Sequence, residues 1–447
     1  MSKTFLTVWV GQFVSRIGTA MTRFALLIWA YQLTGSATTV ALLGFFSFLP
    51  IILISPIAGV WVDRLDRRKV MIWTDLGAGL MTIVMLLLVQ IGQLQIWHLY
   101  LAEALAGAFE AFQIPAYTAA SSTLVSKDHY ARANGLRAMA DAGAQVIAPF
   151  AAGLLLLWLG ISSVMMIDIV TFLAAIGTLI FVRFPKMKRA DEGETAVSTS
   201  SRQAVSPFAK FNQEIQVGFR FIWQRRGLLG LLLIFTGLNF FASITYLSIL
   251  PAMVLARSGS SGGELALASV QGTLGAAGVL GGLIMVAWGG TKRKVHGVLA
   301  GAAVSFLFGD LLFAIGQSLP IWLIASAASA IFIPIILSSN QTIWQAKVPL
   351  ELQGRVFSVA AMVRQSLMPI GYLIGGVLAD QWLEPAMMPS GSLALSLGWL
   401  VGTGSGSGMA LMFLATAVLG CMMSLSGYLF PAIRHVETDL PDHDFQN

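Results

Sequence analysis

Charge is scarce in this 447-residue chain: 11% of its residues are Asp, Glu, Lys or Arg, against 56% hydrophobic. With a mean hydropathy of +0.78, that scarcity excludes a soluble globular protein, which carries roughly 25% charged residues. Cysteine is almost missing too. Cys421 stands alone, which excludes an intrachain disulfide and argues against thiol redox chemistry. The five histidines, His98, His129, His296, His435 and His443, are scattered at span ends and in tails. They form no metal-binding or nucleophile cluster, which argues against a membrane enzyme. No Walker-type phosphate loop occurs, so direct drive by ATP is not expected.

What the chain has instead is apolar length. Runs that could cross a bilayer, ~20 residues each, recur from Phe5 to Phe430, and twelve can be counted. They fall at 5–31, 40–62, 70–91, 97–120, 134–158, 161–184, 228–255, 265–288, 295–316, 321–345, 356–379 and 409–430. The expected fold is an all-α integral membrane protein with twelve transmembrane helices. The first run is too long for a cleavable signal. The net charge of +6 is topology rather than a nucleic-acid footprint. Basic residues crowd every second loop, as at Arg67, Arg68 and Lys69 or Lys292, Arg293 and Lys294, whereas the opposite loops hold only Arg257. That bias puts both termini in the cytoplasm.

The composition changes after span 6. Residues 185–206 are rich in charge and serine and read as a flexible linker. Phe208, Phe211, Ile215, Phe219 and Ile222 then follow at helical spacing, an amphipathic helix for the inner leaflet. This divides the chain into a six-helix half (1–184), a cytoplasmic linker with its helix (185–226), a second six-helix half (227–434) and a cytoplasmic tail (435–447). An outer loop, 380–408, contains a glycine-rich stretch that reads as flexible. The halves repeat: a shift of 223 pairs Asp128 with Glu351, Arg132 with Arg355 and Gly153 with Gly376. Duplicated halves place a site between them near mid-membrane.

The loop Gly59-Val60-Trp61-Val62-Asp63-Arg64-Leu65-Asp66-Arg67-Arg68-Lys69 joins spans 2 and 3. Six charges in so short a hinge require water, and Gly59 suits close approach of helices. A positive-inside anchor would need only the basic residues. The pattern Gly-x-x-x-Asp-Arg-x-x-Arg-Arg-Lys resembles the signature loop between helices 2 and 3 of the major facilitator superfamily, where it belongs to the cytoplasmic gate. The resemblance implies gating roles for Gly59, Asp63, Arg64, Arg67 and Arg68, with Asp63 bonded near the start of span 11. Gly11-Gln12-Phe13-Val14-Ser15, Thr34-Gly35-Ser36, Asp75, Phe112-Gln113-Ile114-Pro115-Ala116 and Asp168 are similar to the drug-exporter branch, especially its macrolide-efflux group and siderophore-exporter relatives. Ala148-Pro149-Phe150-Ala151-Ala152-Gly153 resembles the antiporter motif Gly-Pro-x-x-Gly-Gly with alanine at two glycine positions. A bent packing helix around Pro149 and Gly153 explains the same residues. One departure is plain: span 4 lacks the arginine that many antiporters carry there, and holds Glu103 and Glu110.

Ionisable groups inside a bilayer are costly and mark function. Arg16 and Arg23 are seven apart, as are Glu103 and Glu110, so each pair shares a helix face. At ~1.5 Å per residue, Arg23 and Glu103 lie about 12 and 9 Å deep, and Arg16 and Glu110 roughly 22 and 20 Å. The expectation is two facing pairs, Arg23–Glu103 and Arg16–Glu110. They either fix the packing of spans 1 and 4 or exchange a proton during transport, with Glu110 as the principal coupling residue. Arg137 and Asp141, one turn apart on span 5, should satisfy each other. Asp168 and Asp310 suit structural hydrogen bonds. Substrate-cavity residues are expected among Phe109, Phe112, Gln113, Tyr117, Asn239, Tyr246, Ser339, Asn340 and Gln341.

The resemblance implies a secondary active transporter of the cell membrane, exporting small amphiphilic, macrolide-like compounds by alternating access. Its other partners would be lipid alone, without nucleic acid. It would act as a monomer powered by the proton gradient, with no cofactor and no metal. Siderophore or metabolite export, nutrient uptake or facilitation, and a non-transporting receptor stay open.

Overall fold

The computed structural model describes residues 3–62, 65–125, 129–182, 207–259 and 262–442. Among these residues there are helices and turns and no strand. Helices bond their own N–H and C=O groups, which is what a segment without water requires. Nine helical stretches among the described residues are long and apolar enough to cross a membrane. Large apolar side chains such as Val286 (85% exposed) and Leu395 (97%) face outward, which suits lipid rather than water.

The first bundle comprises α1 (Lys3–Thr34), α2 (Ala37–Val62), α3 (Arg67–Gln90), α4 (Ile96–Leu124) and α5 (Tyr130–Phe181). Spans 5 and 6 are thus one helical run. It is broken where φ is 74° and ψ 178° at Gly160, a backbone conformation that L side chains avoid. Pro149 keeps helical angles, so the reversal belongs to the glycine. After α6 (Pro207–Trp223) the second bundle begins with α7 (Arg226–Ile244) and α8 (Leu250–Ser258), joined by a π turn, Thr245–Ile249. Next come α9 (Gly263–Trp288) and α10 (Lys294–Val304), which runs through a second π stretch, Ser305–Asp310, into α11 (Leu311–Ile315). Then follow α12 (Leu319–Ala330), α13 (Ile333–Lys347), α14 (Leu350–Gln365) and α15 (Met368–Leu378). The chain ends through α16 (Glu384–Met387), α17 (Ala394–Val401), α18 (Ser407–Ser426), α19 (Pro431–Arg434) and α20 (Val436–Asp439).

Apolar packing differs at the two ends of the molecule. On the side carrying the α1–α2 turn, Met21, Phe24, Ile28, Val40 and Ala152 share a single buried cluster with Ile249, Met253, Ala268, Phe313 and Phe413. Both bundles meet there. On the side carrying Phe5 and Val436 the clusters are separate: Val8, Val62, Met71, Tyr117 and Leu179 in one bundle, Leu228, Val295, Trp344 and Ile433 in the other. We call these the far and near sides. Two glycines allow the far-side contact. Gly153 lies against Ala268, and a Cβ on Gly376 would come within 2.6 Å of Thr38 Cα. Polar bonds add to it. Asp380 accepts from Ala37 N (2.9 Å), Thr38 N (2.7 Å) and Ser36 Oγ (2.6 Å), filling orphan donors at the start of α2. Gln32 donates to Glu264 at 2.7 Å.

Three expectations change. The 32–39 loop shrinks, because α1 reaches Thr34 and α2 starts at Ala37. The outer loop after residue 380 is largely folded: Glu384 accepts from Gly406 N and Met409 N, both at 2.9 Å. The helix at 207–223 does more than face lipid, since Ile222 is buried and Gly218 lies against Arg355 and Val359 of α14. The linker expected at 185–206 lies outside the described residues.

The described part of the expected tail, up to Asp442, packs as a strap. Glu437 accepts from Lys294 N and Val295 N, both at 2.9 Å, and so caps α10. Lys347, 5% exposed, donates to Glu437 O at 2.6 Å and to Leu440 O, and pairs with Asp442 at 2.7 Å. Ending the chain after Arg434 would leave that ammonium buried without partners, at a cost of about 3 kcal/mol. The expected outcome is a clearly lower apparent Tm in detergent, partly recovered by adding Lys347→Met; an unchanged Tm would show the strap to be idle.

Candidate functional site

The first bundle carries an ion-pair network along α1. The Arg23 guanidinium lies 3.5 Å from Glu103 and 3.7 Å from Glu110. Both carboxylates come from one face of α4, two turns apart. Arg16 does not pair with Glu110; it bonds Asp141 of α5. Depth along the helices matched Arg16 to Glu110, but depth carries no information about the direction in which a side chain leaves its helix. Arg137 is also re-partnered: it donates to Thr118 Oγ1 at 2.6 Å and lies 5.6 Å from the Tyr117 ring centre. A four-residue spacing permits a pair within one helix, yet Asp141 is taken by α1. The Glu110 side chain is 41% exposed and Glu103 15%, so Glu110 is the more accessible of the two.

Deeper groups are structural. Asp75 accepts from Gln12 at 2.8 Å and from Gln113, tying α1, α3 and α4 together. Asp168 accepts from Thr19 (3.1 Å) and Thr82 (3.0 Å), and Asp310 from Tyr246 and Thr416 (2.6 Å each). Several residues expected in a cavity are therefore elsewhere. Gln113 belongs to the Asp75 cluster, and Tyr246 serves Asp310 while packing edge-on against Phe313 and Phe413. Phe109 packs on Gly77 of α3, Phe112 and Tyr117 pack with Met71, and Ser339 is buried against Gly297. Composition could not separate packing from lining, because both uses select aromatic and small polar residues.

The cavity itself has a volume of about 720 Å³ and lies between Phe48 of α2 and the second bundle. Asn239, Asn340 and Gln341 line it, joined by Thr342, Gln345, Arg364 and Gln365. Asn239 donates to Phe235 O at 2.9 Å, and Asn340 accepts from Trp344 at 3.2 Å. Its lining reaches Gln345 at the near-side end of α13.

The signature loop ties helix ends within its own bundle. Asp66 caps α3 through Arg68 N at 3.0 Å. Arg67 donates to Ala119 O at 2.9 Å, and Arg68 to Leu179 O (2.8 Å) and Ile180 O (2.6 Å). They thereby satisfy carbonyls near the ends of α4 and α5. A Cβ on Gly59 would meet nothing within 4 Å. The expected close approach there is not seen among the described residues. Asp63 and Arg64 lie outside the described residues.

Two helical bundles that share a core at one end and leave a polar cavity between them form a multi-pass membrane transport protein. Residues 8–372 match the model of the Major Facilitator Superfamily, and the chain belongs to that family. Macrolide efflux protein A of Streptococcus pyogenes is 26% identical over 84% of this chain and 89% of its own length. Macrolide efflux protein A of Enterococcus faecalis is 26% identical over 75% of this chain and 99% of its own. A solved bacterial homolog of the human lysosomal transporter Spinster, inward-facing and unoccupied, has the same fold. It superposes with a TM-score of 0.69 at 16% identity, covering 98% of this chain and 99% of that one. These relatives are transporters, not enzymes.

The Arg16–Asp141 pair yields a double-mutant test. Arg16→Gln and Asp141→Asn should each lower the apparent Tm, because each leaves a partly buried charge alone, while the double variant should lose less than the sum of the two. Strict additivity in the unfolding scans would contradict the pairing.

Proposed function

We propose that the chain is a proton-coupled exporter of amphiphilic small molecules, macrolide-like drugs or related compounds, working by alternating access. It crosses the cell membrane twelve times with both termini in the cytoplasm, and acts as a monomer without cofactor, powered by the proton gradient. The observation that carries this reading is the similarity to macrolide efflux protein A across 84% of the chain. Basic near-side loops, as at Arg67, Arg68 and Lys69, agree with a cytoplasmic near side. A cavity whose lining reaches that side would load from the cytoplasm.

Glu110 is the coupling residue in this reading, and its partner is Arg23 rather than Arg16. One guanidinium faces two carboxylates there, so the site carries a surplus negative charge. Glu110 can take a proton while Glu103 still neutralises Arg23. Protonating Asp141 would instead strand Arg16, which costs far more. Small movements of α1 against α4 would change how closely Arg23 holds Glu110. Loss of the proton restores the tight pair.

The test is flux of erythromycin, dyes and siderophores into inverted vesicles, with and without a pH gradient. Wild-type protein should accumulate an amphiphile only with the gradient. Glu110→Gln should bind substrate with little change and lose at least about tenfold of the gradient-driven rate, with Glu103→Gln milder at matched expression. Full coupling in Glu110→Gln would remove the assignment, and gradient-independent flux in wild type would remove proton coupling altogether.

A further inference from the structure

The arginines of the first bundle's interior all have partners: Arg16 bonds Asp141, Arg23 two glutamates and Arg137 Thr118. Arg364 differs. It lies in the last turn of α14, lines the cavity, and has no hydrogen bond or ion pair among the described residues. No carboxylate lines the cavity with it. The acid at depth in the second bundle, Asp310, is fully buried and already bonded by Tyr246 and Thr416. The C-terminal end of α14 favours a cation slightly, yet no carbonyl accepts from the guanidinium.

An unpartnered arginine at membrane depth is costly, and such residues mark a binding or transport path. We propose that Arg364 is an anion-recognition point, and that this cavity takes an amphiphile bearing a single carboxylate or similar monoanion. The planar guanidinium presents paired donors that fit a carboxylate with two parallel bonds. Asn239, Gln341 and Gln365 line the same cavity as neutral amides, while Phe235 and Met368 supply apolar lining. The volume of about 720 Å³ falls in the range of small-molecule sites.

This inference rests on the transport reading only in taking the cavity as the substrate site, and it is tested by binding alone. Full-length protein in phosphatidylcholine nanodiscs is dialysed to equilibrium with radiolabelled glycocholate, with empty nanodiscs subtracted. The competitors are unlabelled glycocholate and its methyl ester, which keeps the same body without the charge. Wild type should prefer the acid about tenfold or more, Arg364→Gln should bring the two within about twofold, and Arg364→Lys should retain an intermediate preference. No preference in wild type, or an undiminished preference in Arg364→Gln, overturns the proposal. The wild-type comparison needs no variant, so a misfolded substitution does not blunt the test. Acid preference without gradient-driven export would remove the transport reading and leave this one standing; export without acid preference would do the reverse.

Discussion

A charge taken out of water needs a counter-charge or hydrogen-bonding groups in place of the solvent it has lost. In the first bundle that requirement connects α1 to α3, α4 and α5. Arg23 holds α4 through two glutamates, Arg16 holds α5 through Asp141, and Gln12 reaches α3 through Asp75. These bonds fix how α1 is rotated and how deep it sits. Apolar packing alone would leave that rotation loosely set, since a helix with apolar residues on every side can bury any face.

The second constraint is the uneven core. Both bundles contribute to one buried cluster on the far side, and on the near side each keeps its own. Gly153 and Gly376, at corresponding places in the two halves, bring α5 onto α9 and α15 onto α2. Asp380 locks the start of α2 in the same region. Each bundle is tied off at its near end by its own devices: Arg67 and Arg68 on helix carbonyls in one, Glu437 and Lys347 in the other. The molecule is therefore two stiff bodies joined at one end, a geometry suited to rocking.

The sequence made the helices legible because apolar runs of membrane length are hard to mistake, and the basic loops gave them an order. It also singled out charges that the structure joins in ion pairs, Arg16, Arg23, Glu103 and Glu110 among them. It failed on partners. Spacing along one helix predicts who shares a face, but says nothing of which neighbouring helix that face meets, so Asp141 was matched to Arg137 instead of Arg16. The cavity was half legible: Asn239, Asn340 and Gln341 line it, whereas Tyr246 and Gln113 are consumed by buried aspartates. The strap at Glu437 was hidden because a short polar segment carries no periodicity to read.

The central claim is that the two bundles rock about their far-side contact. Spin labels on a Cys421→Ser background test it directly, one pair on the near side at Leu65 and Leu350, another on the far side at Leu33 and Leu265, all exposed. On adding erythromycin and lowering the pH in nanodiscs, the near-side distance should shorten as the far-side distance lengthens. Distances that stay fixed, or that change in the same sense at both ends, would contradict the account.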